Sequence, residues 1–174
     1  KRMGNSMQGL QGKLKNVGLS LRGVNRGFAA LGLAVSGGAF AGMVKGAIDS
    51  ADSFGKMSDQ TGIAADKLQA YVNAGKLAGV EQATIDKGLR RLAQSMREAN
   101  QGVATYSDSY EALGISVTKS DGSLKASETV LGEIADRFKE MPDGATKAAI
   151  AMEIFGRSGA NLINLLNGGK VALE

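Results

Sequence analysis

The side chains of this chain that could do chemistry are few in kind. Its 174 residues include no His and no Cys, which removes the commonest general base, the commonest zinc ligand and every thiolate. Carboxylates, ammonium and guanidinium groups and hydroxyls remain. Glu153, between Met152 and Ile154, is the nearest thing to a catalytic acid. It has no paired carboxylate at a useful spacing and no Ser-rich or aromatic-rich groove, so it reads as structural. Asp121 stands without the alternating acids of a calcium loop. The run Phe155-Gly156-Arg157-Ser158-Gly159 has the composition of an anion-cradling nest at a helix start, but a plain helix–turn–helix junction accounts for the same residues. Lys87, Arg90, Arg91 and Arg97 share one helical face, a pattern more often solvated than ligand-binding. No residue is assigned a catalytic, cofactor-binding or metal-binding role; the expectation is a non-enzyme without a cofactor.

Charge and glycine are segregated along the chain. Residues 1–48 carry seven cations (Lys1, Arg2, Lys13, Lys15, Arg22, Arg26, Lys45) and no acid; from Asp49 onward fourteen basic residues face all seventeen acids. Residues 1–55 hold twelve of the twenty-five glycines. The division expected is a basic, Gly/Ala-rich helical arm over 1–55 and a helical domain over 56–174. Counterion release rewards a dense Lys/Arg cluster, so the arm (Lys13, Lys15, Arg22, Arg26) suits nonspecific contact with DNA or an acidic surface. No aromatic interleaves with the cations before Phe28, which argues against sequence-specific reading. A chain starting at Lys1 reads as part of a longer polypeptide, and nothing resembles a cleavable signal peptide.

The elements that would position these groups read as all-α. In the arm, Phe28, Leu31, Val35, Phe40, Val44 and Ile48 form a large apolar stripe. Ala30, Ala34, Gly38, Gly42 and Gly46 repeat at four, placing small residues on one helical face where a second backbone can approach closely. Interior glycine costs a helix about 1 kcal/mol against alanine, so this arm calls for a partner, a membrane or copies of itself. The uncharged run 27–44 is eighteen residues long, at the lower edge for spanning a bilayer. Cations precede it and Asp49 and Asp52 follow, a positive-inside pattern. Its Gly/Ala content makes transfer weak, and helix packing among copies is the preferred reading.

Beyond the arm the periodicity predicts a small multi-helix bundle. Helices are expected over about 64–78, with Leu68, Val72 and the Leu77 region inward, and over about 82–100, with Ile85, Leu89, Leu92 and Met96 on one face. A short helix is expected around 108–113. Residues 115–124, with the turn signal Asp121-Gly122, are expected as a loop or tiny hairpin. Ser127 is the expected cap of a helix carrying Val130, Ile134, Phe138 and Met141 and broken at Pro142. Asp143 is expected to start a helix through Ile150, Ile154 and Phe155, and Ser158 to open a last one with Leu162, Ile163, Leu165 and Leu166. The candidate core is Ile85, Leu89, Leu92, Met96, Ile134, Phe138, Ile154, Phe155, Leu162 and Leu166.

Several blocks carry a resemblance. They are Thr61-Gly62-Ile63 with Leu68-Gln69, Leu113-Gly114-Ile115, Asp121-Gly122-Ser123-Leu124, Ile134-Ala135-Asp136-Arg137-Phe138, Met141-Pro142-Asp143-Gly144 and Lys147-Ala148-Ala149. Ile154-Phe155-Gly156-Arg157-Ser158-Gly159 leading into Leu162-Ile163-Asn164-Leu165-Leu166-Asn167-Gly168-Gly169 completes the series. Their order and spacing, over about residues 40–169, resemble the recurrent domain of tail tape-measure proteins of long-tailed bacteriophages and prophages. The resemblance implies a virion structural role in the tail lumen, after assembly in the host cytoplasm, in setting tail length and assisting tail assembly and DNA ejection. It implies as partners other copies of the chain in a trimer-like bundle, tail tube and tail tip proteins and tail assembly chaperones. The alternative is a membrane-active, pore-forming segment over 27–44 that acts in genome delivery by transient membrane contact.

Overall fold

Short apolar helices separated by glycine and Asx turns build the chain beyond its arm. A computed structural model describes residues 37–173, with side chains over residues 49–173. The chain divides into two units, Lys1–Ser50 and Ala51–Glu174. Lys13, Lys15, Arg22, Arg26, Ala30 and Ala34 lie outside the described residues, as does most of 27–44. Gly38, Gly42 and Gly46 fall within the first described helix, but what packs on them lies outside the description.

The described residues are all-α. Helix α1 (Gly37–Thr61) is followed by α2 (Ala65–Leu77), α3 (Gln82–Asn100), α4 (Ala104–Ala112), α5 (Ser127–Glu140) and α6 (Ala145–Phe155); a 3-10 turn (Gly156–Ser158) then leads into α7 (Gly159–Leu166) and a second 3-10 turn (Lys170–Leu173). Helix α3 is the hub of the second unit, packed against α2, α4, α5, α6 and α7. Its buried residues Ile85, Gly88, Leu89, Leu92, Ser95 and Met96 recur at three and four, the spacing of one helical face. All ten candidate core side chains are buried, with Phe138, Phe155, Ile154, Leu92 and Ile134 essentially sealed from solvent. Each such side chain contributes about 1.5–3 kcal/mol through burial. A core of medium-sized residues therefore suffices without Trp.

Close approaches at glycines set the helix spacing, two of them along α7. Gly88 of α3 faces Leu162 of α7, and Gly159 at the start of α7 lies against the Ala151 carbonyl of α6. A Cβ at Gly159 would overlap that backbone, which has no room to yield. Glycine there lets α6 and α7 fold back on each other.

The structure shifts several boundaries. Leu77 points to solvent at 93% exposure rather than inward: nine residues from Leu68, it lies about 180° round a helix of 3.6 residues per turn. Helix α4 starts at Ala104, ahead of the expected 108, with the amides of Tyr106 and Ser107 bonded to the Val103 carbonyl. Its first turn, Ala104-Thr105-Tyr106-Ser107, lacks the apolar period by which helices are recognised. Ser127 does not cap α5: Ala126 occupies that position and the Ser127 hydroxyl donates to the Thr61 carbonyl at 2.9 Å. Helix α6 starts at Ala145 after Gly144, not at Asp143. Ser158 precedes α7 without a side-chain cap bond. In 115–124 the chain forms one isolated antiparallel bridge, Thr118 to Leu124. Asp121 closes its turn by accepting from the Ser123 amide at 2.9 Å and the Ser123 hydroxyl at 2.6 Å.

Candidate functional site

Of the groups singled out from the sequence, Arg90, Arg91 and Glu153 tie helices together, whereas Lys87, Arg97 and Asp121 do not. On α3, Arg90 pairs with Asp86 one turn earlier and donates to Gln60 Oε1 of α1 at 2.6 Å. Arg91 reaches the Tyr106 hydroxyl of α4 and lies 5.2 Å from that ring's centre. Lys87 and Arg97 remain exposed. The basic face of α3 is thus half solvated surface and half inter-helix tie, and its four cations do not converge on one point. Asp86 Oδ1 is buried without a hydrogen-bond partner, so its carboxylate is satisfied through Oδ2 alone.

Glu153 accepts from the buried Ser109 hydroxyl at 2.5 Å, a bond that links α6 to α4. Beside it, the Tyr110 hydroxyl and Ser95 Oγ lie 2.8 Å apart, and burial pushes the Tyr110 phenol well above its ordinary range. Burial thus keeps the phenol in its neutral, hydrogen-bonding form. The Ser123 hydroxyl and amide hold Asp121 below the usual carboxylate range; both are donors within its own turn. At Gly156 the backbone (φ 67°, ψ −159°) leaves the helical basin, and the Arg91 stem packs beneath it. Among the described residues no three Asp or Glu side chains gather as a metal site, and no helix is long and apolar enough to cross a membrane.

The structure adds one polar cluster that the sequence reading passed over. Lys147, only 2% exposed, donates to Asp143 Oδ1 at 2.8 Å and Asn167 Oδ1 at 2.7 Å, with its ammonium 5.9 Å from the centre of the Phe138 ring. Asn167 in turn donates to Asp143 Oδ1 at 3.1 Å. These donors hold Asp143 below the usual carboxylate range, Lys147 first. The signal available was the i, i+4 spacing of Asp143 and Lys147; nothing in it marked the lysine as buried.

Surface clefts among the described residues include two large enough for a small ligand. One, of about 340 Å³, lies between the end of α3, α4 and the following loop, with Tyr110, Ile115 and Val117 among its walls. The other, of about 220 Å³, lies between α2, α5 and the last 3-10 turn, lined by Lys67, Tyr71, Glu128, Thr129, Gly132, Lys170 and Leu173. A third void is an interior gap of about 10 Å³ walled by apolar side chains such as Leu89, Phe155 and Leu166, too small and too apolar for a substrate. No family model, curated protein or solved structure matches the chain.

Proposed function

We propose that this chain is part of a phage or prophage tail tape-measure protein, a non-enzymatic ruler and assembly component. The observation that carries the reading is the ordered series of sequence blocks and where its glycines fall in the fold. Gly114 follows α4, Gly122 forms the turn after Thr118 and Gly156 follows α6, with φ of 65°, 81° and 67°. The blocks of the resemblance thus mark junctions between helices, positions that a shared fold would keep in order.

The physics suits a ruler. A helix advances 1.5 Å per residue, so residue number converts to length without bond-making chemistry. The polar groups described here are spent on inter-helix ties, as in a structural component. The acid-free charge of residues 1–48 suits an acidic tube wall or the incoming DNA end, and the arm's small-residue stripe suits copies packed in a narrow lumen.

The test is genetic and visual. In the phage or prophage that encodes the chain, in-frame removal of residues 51–174 should shorten the tails seen by electron microscopy. Mass spectrometry of purified virions should find the protein in wild-type tails. Tails of unchanged length, or virions without the protein, overturn the proposal.

A second reading rests on the uncharged run 27–44 with cations before it and Asp49 and Asp52 after it. Liposome leakage by a peptide of residues 20–55, abolished by Leu31→Asp, is its expected signature; no leakage from either peptide removes it.

A further inference from the structure

Among the described residues Lys147 is the one charged group that the fold buries. Its Nζ donates at once to an amide and a carboxylate, Asn167 Oδ1 at 2.7 Å and Asp143 Oδ1 at 2.8 Å. The same Asp143 oxygen accepts from Asn167 Nδ2 at 3.1 Å. One carboxylate oxygen therefore touches both nitrogens that would exchange places if the lysine displaced the NH2 group of the amide. Both distances are within the reach expected of a general acid or base. The backbone holds all three in place. Asp143 and Lys147 flank the start of α6, and Asn167 ends α7, its main-chain N–H bonded to the Ile163 carbonyl at 2.8 Å.

The surroundings suit that exchange. The Phe138 ring, its centre 5.9 Å from Nζ, closes the inner side with apolar surface, while the Asp143 side chain is 74% exposed. The amine is thus shielded from water, which would compete for the amide carbon, and a small leaving molecule has an open path past the aspartate. A lysine amine becomes a nucleophile when an adjacent base takes its proton, and Asp143 is placed to do so. Holding the two reactants side by side supplies the orientation that a bimolecular reaction lacks. The exchange also removes a desolvated charge from the interior, since a neutral amide replaces the ammonium.

We propose that Lys147 and Asn167 join in an intramolecular isopeptide bond, with Asp143 as the proton carrier. The Nζ–Cγ bond forms and the Cγ–Nδ2 bond breaks. Nζ gives up two protons, which Asp143 relays in turn to Nδ2. That nitrogen leaves as an ammonium ion, and Asp143 ends as the carboxylate it was at the start. The ion pair is the unreacted state, because a protonated amine is not a nucleophile; freshly made chain still holds it, and the bond accumulates on incubation. The link closes a loop through α6, the 3-10 turn and α7. It concerns the chain's own side chains and does not depend on the ruler reading.

The experiment is intact-mass spectrometry of the 174-residue chain, fresh and after prolonged incubation at mildly alkaline pH, followed by tryptic digestion. A species lighter by one ammonia is expected to grow with time. Its digest should contain a branched peptide in which tandem spectra place the link between Lys147 and Asn167. The species should be absent in Lys147→Arg and Asn167→Ala and form at least tenfold more slowly in Asp143→Ala, with circular dichroism checking that each variant folds. A succinimide at Asn167-Gly168 also loses ammonia, but it survives in Lys147→Arg and yields no branched peptide. If Lys147→Arg does not fold, the wild-type digest decides alone. An unchanged mass, an ammonia loss without the branched peptide, or an Asp143→Ala chain that links at the wild-type rate overturns the proposal.

Discussion

Lys147 and Asp143 form an ion pair of unequal partners: the lysine side chain is 2% exposed and the aspartate 74%, with 2.8 Å between Nζ and Oδ1. One charge is therefore inside the fold and its counter-charge is outside. Asn167 from α7 bridges the two, so the pair fastens the start of α6 to the end of α7.

The pair makes stability fall in acid. The folded-state pKa of Asp143 lies below its ordinary value of 3.8, so its contribution is fully present above that value and is lost as pH falls through the folded-state pKa. Thermal melts of wild type and Asp143→Asn should differ at pH 6–7, with the variant melting lower, and converge in acid. A constant gap down to pH 2 would remove Asp143 as the titrating group.

Removing the buried charge should help more than removing its partner. Lys147→Met keeps most of the volume beside Phe138 and abolishes the desolvated ammonium, a kind of change that is often neutral or stabilising. Urea denaturation should give Lys147→Met a midpoint at or above wild type, and Asp143→Asn one below it. The reverse order would mean that the pair outweighs its desolvation.

Gly159 and Gly55 predict opposite signs for the same substitution. Gly159→Ala puts a methyl into the Ala151 carbonyl and should cost about 1–3 kcal/mol by overpacking. Gly55, within α1, has nothing within 4 Å of a would-be Cβ, so Gly55→Ala should gain about 0.5–1 kcal/mol. Urea midpoints of the two variants check both signs.

Leu92 and Leu77 separate burial from residue type. Leu92→Ala in the sealed core should cost about 2–5 kcal/mol, whereas Leu77→Ala, at 93% exposure, should stay within about 0.5 kcal/mol. Comparable losses would mean that Leu77 is covered in solution.

Period and punctuation made much of this fold readable. On α3 the apolar residues recur so regularly that the inward face and both ends follow from the sequence, and Pro142 and Gly156 mark breaks the chain obeys. The failures have physical causes. Leu77 is apolar but out of phase with Leu68, and apolar character alone does not report angle. Ser127 and Asp143 have cap chemistry, yet their oxygens serve Thr61 and Lys147, residues placed by tertiary folding. Helix α4 begins in a polar, small-residue turn where periodicity is silent. The cleft between α2, α5 and the last 3-10 turn was illegible for the same reason: Lys67, Glu128 and Lys170 come from three separate stretches, and no local spacing announces that they meet.

The Ser127 hydroxyl and the Thr61 carbonyl are 66 positions apart, and Asp136 and the Lys170 amide 34 apart. Such pairings close only after both ends exist, which gives this helical unit more non-local wiring than a simple up-and-down bundle. A chain cut before residue 127 keeps the residues of α1 to α4 but lacks the hydroxyl that ties the end of α1. Both ties need residues 127 and 170, so the end of α1 and the approach to the last 3-10 turn depend on segments far along the chain.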